Sequence, residues 1–140
     1  MDQNNPKNEL EGFSGWLALF AFGIMITPIV FIFQFITEQE TYGAGGFTIG
    51  LYIILVLFAI WINYLMFKRK KVFKKWFVAF ALFNMIITGL SVVGANTEAY
   101  LYTEEQMLDI NISFWRDVFY GVIWTLYLWF SRRARNTFIE

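Results

Sequence analysis

From Trp16 to Ile36 the chain reads WLALFAFGIMITPIVFIFQFI, a run without one charged residue. Wound into an α-helix at 1.5 Å per residue, such a run covers the roughly 30 Å hydrocarbon layer of a bilayer. The pattern recurs. Phe47 to Phe67 is equally uncharged, and a third run extends from Trp76 to about Val93. A fourth, from about Ser113 to Phe130, is apolar apart from Arg116 and Asp117 in its first turns, so its start is open by several residues. Backbone in lipid has no water to bond to, so apolar runs of this length fold as helices. The expected fold is all-α: a polytopic membrane protein with four transmembrane helices in one antiparallel bundle, a single domain.

Composition agrees, since 58% of the residues are hydrophobic and 16% are charged, against roughly 25% charged in soluble domains. Too few polar side chains remain to cover a globule in water. The first run reads as a span rather than a cleaved signal peptide. It is longer than a signal-peptide core, it follows Asp2, Glu9 and Glu11 with Lys7 as the one base, and no A-x-A site succeeds it. The chain has no cysteine and no histidine, which excludes disulfides, thiol nucleophiles, imidazole bases and the usual zinc and haem ligands. No cofactor and no metal site is expected.

Charge then sets the topology. Lys68, Arg69, Lys70, Lys71, Lys74 and Lys75 crowd one short connector, residues 68–75; Lys7 precedes the first run, and Arg132, Arg133 and Arg135 follow the fourth, in the tail 131–140. The connectors 37–46 and 94–112 hold no base and carry Glu38, Glu40, Glu98, Glu104, Glu105 and Asp109. By the positive-inside rule both termini and the 68–75 connector lie in the cytoplasm, N-in/C-in. The same bases, with Phe73, Trp76 and Phe77 beside them, suit anionic lipid headgroups at about 1 kcal/mol per basic residue. Nucleic acid is not an expected partner, because this face lies against the membrane. Trp16, Trp76, Trp115 and Trp129 fall near predicted interfaces, and the stretch NTEAYLYTEEQMLD has room for a short surface helix.

Three stretches together resemble the YdgK-like family of small bacterial inner-membrane proteins, a domain of unknown function: GFSGWLALFAFGIMITPI, the Phe-Lys-Arg-rich hairpin, and IWTLYLWFSRRARNTFI. The ending is the most specific. Trp124 and Tyr127, then Ser131, Arg133, Thr137 and Phe138, follow that family's pattern, with Ala134 where a Val is usual; Gly15-Trp16-Leu17 is a weaker match. The resemblance covers Gly12 to Ile139. It implies a four-helix protein of the bacterial cytoplasmic membrane and carries no mechanism with it.

Polar groups at membrane depth are costly unless satisfied, so they are the candidate functional sites. Asn84 and Thr88 sit near the middle of the third run, Asn63 toward the cytoplasmic end of the second, and Gln34 toward the outer end of the first. Pro28 frees a backbone carbonyl one turn back and kinks the first helix. Arg116 and Asp117 point about 100° apart on a helix, which argues against a salt bridge closed by that pair alone. Arg116 is expected to reach outer headgroups or Glu38 or Glu40, and Asp117 to need a donor from another helix. As an alternative, both mark the outer boundary of the fourth helix. Gly15, Ala18, Gly23, Gly89, Gly121 and the Gly46-x-x-x-Gly50 pattern could let helices approach closely. No nucleophile with a base and no phosphate loop is visible. The expected role is therefore non-enzymatic: an accessory subunit binding other membrane proteins or lipids. The alternatives are a component of an oligomeric transporter or channel, and a lipid-modifying enzyme using Asp117.

Overall fold

The structure is a computed structural model describing residues 12–42 and 45–139, the side chains of 38–42 excepted. Its helices are α1 (Trp16–Tyr42), α2 (Gly46–Phe67), α3 (Phe73–Thr97), α4 (Glu104–Phe130) and a short α5 (Arg132–Thr137), with a 3-10 turn at Ala99–Leu101. The described residues contain no strand. Helices α1, α2 and α3 are long and apolar enough to cross a membrane. At 27 residues α4 is long enough too, but it carries Glu104, Glu105, Asp109, Arg116 and Asp117.

Successive long helices run in opposite directions. Phe20, near the start of α1, meets Phe73 and Phe77 at the start of α3 and Trp124 toward the end of α4, with ring centroids 6.1, 5.1 and 5.0 Å away. The start of α1, the 68–72 hairpin and α5 therefore share one end, here the basic end. Glu98 after α3 and Glu104, Glu105 and Asp109 at the start of α4 share the other, the acidic end. Packing is pairwise, α1 on α2 and α3 on α4, with α2 against α3 joining the two hairpins.

Helix ends differ from the sequence expectations, for local reasons. The expected surface helix over NTEAYLYTEEQMLD is divided. Helix α3 continues to Thr97, and α4 starts at Glu104 under a capping box in which Thr103 Oγ1 accepts from Gln106 N–H while Gln106 Oε1 accepts from Thr103 N–H. With no Pro or Gly before Gly121, nothing interrupts α4 at Ser113. In the tail, Ser131 leaves helical geometry (ψ 125°) and its Oγ accepts from Ala134 N–H, which starts α5. Arg69 closes the basic hairpin with φ 51°, a left-handed conformation uncommon outside glycine.

The core fills the basic half. Leu17, Phe20, Ala21 and Ile24 of α1, Ala59, Ile62, Leu65 and Met66 of α2, Phe73, Phe77 and Phe80 of α3, and Leu128 of α4 are buried with Ala134 and Phe138 of the tail. On α3 the buried set repeats as i, i+4, i+7, the spacing of one helix face. This corrects the expectation for Phe73 and Phe77, which belong to the core and not to a headgroup surface; Trp76, off that face, is exposed. Toward the acidic end Ala95 is the one buried apolar side chain on α3 beyond Phe80, and α1 has none among its described residues beyond Ile24.

The predicted role of Pro28 appears as a specific contact. Pro28 lacks the N–H that would bond to the Ile24 carbonyl, and Asn63 Nδ2 of α2 donates to that oxygen at 2.9 Å and to Ala59 O at 2.9 Å. Among the described residues Asn63 Oδ1 is buried without a partner. Truncating Asn63 leaves a carbonyl orphaned only while residue 28 is proline. Asn63→Leu should therefore cost about 1–2 kcal/mol alone and clearly less alongside Pro28→Ala, which restores the missing N–H. A double-mutant cycle of unfolding in detergent reads that coupling, and strict additivity would refute it.

Candidate functional site: the polar seam between α3 and α4

Helices α3 and α4 approach most closely where glycine permits it. A Cβ on Gly121 would stand 2.5 Å from Met85 Cε and 3.5 Å from Ala81 Cβ, and one on Gly89 would stand 3.4 Å from Phe114 Cε2. Around Gly46 and Gly50 the space is open, so the G-x-x-x-G pattern marks no helix contact among the described residues.

One turn from Gly121 lies Asp117. On α4 the series Asp117, Gly121, Trp124, Leu128 occupies one helix face, and its later members are buried or packed on the core. On α3, Asn84 continues the buried series Phe73, Phe77, Phe80. The two polar residues therefore meet inside the seam, and Asn84 Nδ2 donates to Asp117 Oδ2 at 3.2 Å. This is the donor from another helix that Asp117 was expected to need. Thr88 Oγ1 contacts the Asn84 and Met85 carbonyls of its own helix at 3.0 and 3.3 Å, fixing the turn that carries Asn84.

Arg116 and Asp117 do approach each other, but Asp117 is not held by that pair alone. Arg116 Nε lies 3.7 Å from Asp117 Oδ1, with side-chain exposures of 50% and 21%. The guanidinium stem is long enough to fold back across the 100° between adjacent positions. At 3.7 Å it supplies charge rather than a well-formed hydrogen bond. Glu38 and Glu40, named as other partners for Arg116, lie outside the described side chains.

The register also fixes where the pair lies along α3. With Asn84 beside Asp117 and Gly89 beside Phe114, the part of α4 level with Trp76–Val93 runs from about Asp109 to about Leu126. Asn84 is eight residues from Trp76 and nine from Val93, about 12–14 Å from either end of that run. Asp117 is therefore level with the middle of α3 rather than with its acidic end. Trp115, two residues before Asp117 on α4, is exposed. Of the other polar candidates, Asn63 belongs to the α1–α2 contact and Gln34 is half-buried on α1; neither joins the seam.

The basic end carries the second group of candidates. Lys68, Arg69, Lys71, Lys75, Arg132 and Arg135 are exposed, and Lys70, Lys74 and Arg133 half-buried. Lys74, in the first turn of α3, lies near Arg135 and Lys71, ahead of the uncharged run that begins at Trp76. Hairpin and tail thus present their cations on one surface. The tail's apolar residues turn inward: Phe138 stacks on Phe73 at 4.5 Å and meets Phe13 edge-on at 6.1 Å, while Thr137 Oγ1 accepts from Gly12 N–H at 3.1 Å and donates to Arg133 O at 2.8 Å. Arg69 lies over the Phe13 ring at 5.8 Å. Sequence reading missed this plug because its parts lie at opposite ends of the chain. The available signal was a Phe and a Thr closing an otherwise basic tail.

A family described as a protein of unknown function, DUF2569, matches residues 10–139. The chain belongs to this family. No curated protein and no solved structure matches it. The match begins just before Gly12 and ends just after Phe138, so it takes in both partners of the plug. Trp16 starts α1, Trp124 touches Phe20, Tyr127 meets Trp124 edge-on at 5.7 Å, and Ser131 caps α5. The ending singled out in the sequence is thus built largely of residues that close the basic end.

Proposed function

We propose that this protein is a small, non-enzymatic accessory subunit of the bacterial cytoplasmic membrane, YdgK-like, spanning the bilayer four times with both termini inside. Its basic end engages anionic lipid headgroups and, through its lipid-facing sides, it binds other membrane proteins. The observation that carries the reading is the fold of the tail. Docking α5 brings Arg135 close to Lys74, which also lies near Lys71, with Arg132 exposed on the same short helix. Gathering like charges is unfavourable unless anions answer them, and a headgroup surface provides anions at about 1 kcal/mol per base. Neutralising Lys71, Lys74, Arg132 and Arg135 to Gln together should strip co-purifying anionic lipid and lower retention on anionic nanodiscs at least tenfold. Retention that ignores both the substitutions and the salt concentration would sink the proposal.

A second reading, a component of an oligomeric transporter, gains support from the depth of Asp117. Pumps and relays keep carboxylates at mid-depth, and the α3–α4 register puts Asp117 level with the middle of α3. Liposome flux that Asp117→Asn abolishes would move the assignment to this reading.

A further inference from the structure

The seam holds one group that the headgroup reading does not use. Asp117 is the one Asp or Glu on α4 between Asp109 and the helix end, and the runs Trp16–Thr37, Gly46–Phe67 and Trp76–Thr97 contain no Asp, Glu, Lys or Arg. The groups facing it are accordingly few. Helix α3 offers Asn84, Met85 and Thr88, all neutral; α1 and α2 offer no charge along those runs; α4 offers Arg116.

A carboxylate has about four acceptor positions. In the seam the Asn84 amide fills one at 3.2 Å, and Arg116, half exposed, stands at 3.7 Å. An ionised carboxylate so sparsely bonded is expensive away from water, whereas a neutral carboxyl is not. Burial along α4 is asymmetric. Toward the basic end Asp117 is floored by Gly121 and Leu128 with Phe80 across from them, all buried. Toward the acidic end α4 has no buried residue among those described before Gly121. Glu98, Glu104, Glu105 and Asp109 are exposed toward that end, and acidic surfaces raise the local concentration of cations, protons included.

We infer that Asp117 is a proton-binding site, in exchange with water at the acidic end and held by Asn84 on α3. The step is simple acid–base chemistry: a proton from water adds to a carboxylate oxygen, the side chain becomes neutral, and loss of that proton restores the charge. Asn84 is the positioning residue. Its amide donates to the carboxylate, and its Oδ1 can accept from the protonated group, so the α3–α4 contact survives both states with its donor reversed. The site stands whether or not the protein binds anionic lipid, since the two lie in different halves of the bundle.

The test is pH-difference infrared spectroscopy on the full chain in liposomes, scanned between about pH 4 and pH 9. A carboxyl C=O band should rise and fall with pH and vanish in Asp117→Asn while the bands of the other carboxyl groups persist. Asn84→Leu should keep that band but move its frequency, because the hydrogen-bond partner is gone. A band that Asp117→Asn leaves intact, or one present at every pH without change, overturns the inference. Thermal unfolding of each variant in detergent separates these outcomes from simple misfolding.

Discussion

Phe138→Ala is expected to open the basic end of the protein, at a cost of about 3–5 kcal/mol, the range for truncating a fully buried Phe. The ring sits between Phe73 and Phe13, and Phe73 in turn packs on Phe20 and Phe77. Removing it therefore loosens contacts on α1 and α3 as well as on the tail. Thr137 loses its anchor at the same time, since its bond to Gly12 holds only while α5 is seated. The measurement is loss of helical signal in graded denaturing detergent, with protease sensitivity of the tail as a second readout. Phe138→Leu serves as the control: it keeps an apolar filler, and its loss should be less than half as large. If Phe138→Ala unfolds as the unaltered protein does, the tail is not part of the cooperative core.

Much of this architecture is legible from residue order alone, because burying backbone in lipid leaves few choices. Uncharged runs near 20 residues predict helices, and Trp16–Ile36 and Phe47–Phe67 lie inside α1 and α2. Boundaries are less legible wherever polar residues continue a helix. Thr97 and Glu104 are neither apolar nor helix breakers, so hydropathy passes over the end of α3 and the start of α4, whereas the cap at Thr103 decides the latter. The seam was half visible. Asn84, Thr88, Arg116 and Asp117 stand out as polar residues in greasy runs, but their pairing depends on helix register, which hydropathy does not encode. Register is set by which small residue sits opposite which large one, here Gly121 opposite Met85. The tail was the least legible part. Arg132, Arg133 and Arg135 dominate its appearance, while Ala134, Thr137 and Phe138, one helical turn apart along the same segment, decide its placement.

Gly121→Leu should be the most disruptive change in the seam, and it joins packing to the proposed chemistry. A Cβ at this position meets Met85 Cε at 2.5 Å. The methionine tip is flexible and can yield to one methyl group, so Gly121→Ala should cost little. A leucine adds three further carbons against Ala81, whose Cβ lies 3.5 Å from the same point and has no torsion by which to withdraw. Helices α3 and α4 must then separate or slide, at about 1–3 kcal/mol for overpacking. Either movement stretches the Asn84–Asp117 bond, already 3.2 Å long and one turn away. In Gly121→Leu the infrared band of Asp117 should therefore change frequency in the direction seen for Asn84→Leu, along with a lowered unfolding midpoint. In Gly121→Ala both should stay close to the unaltered protein. A leucine accepted with neither effect would mean that the two helices are not held at this register, and the depth assigned to Asp117 would fall with it.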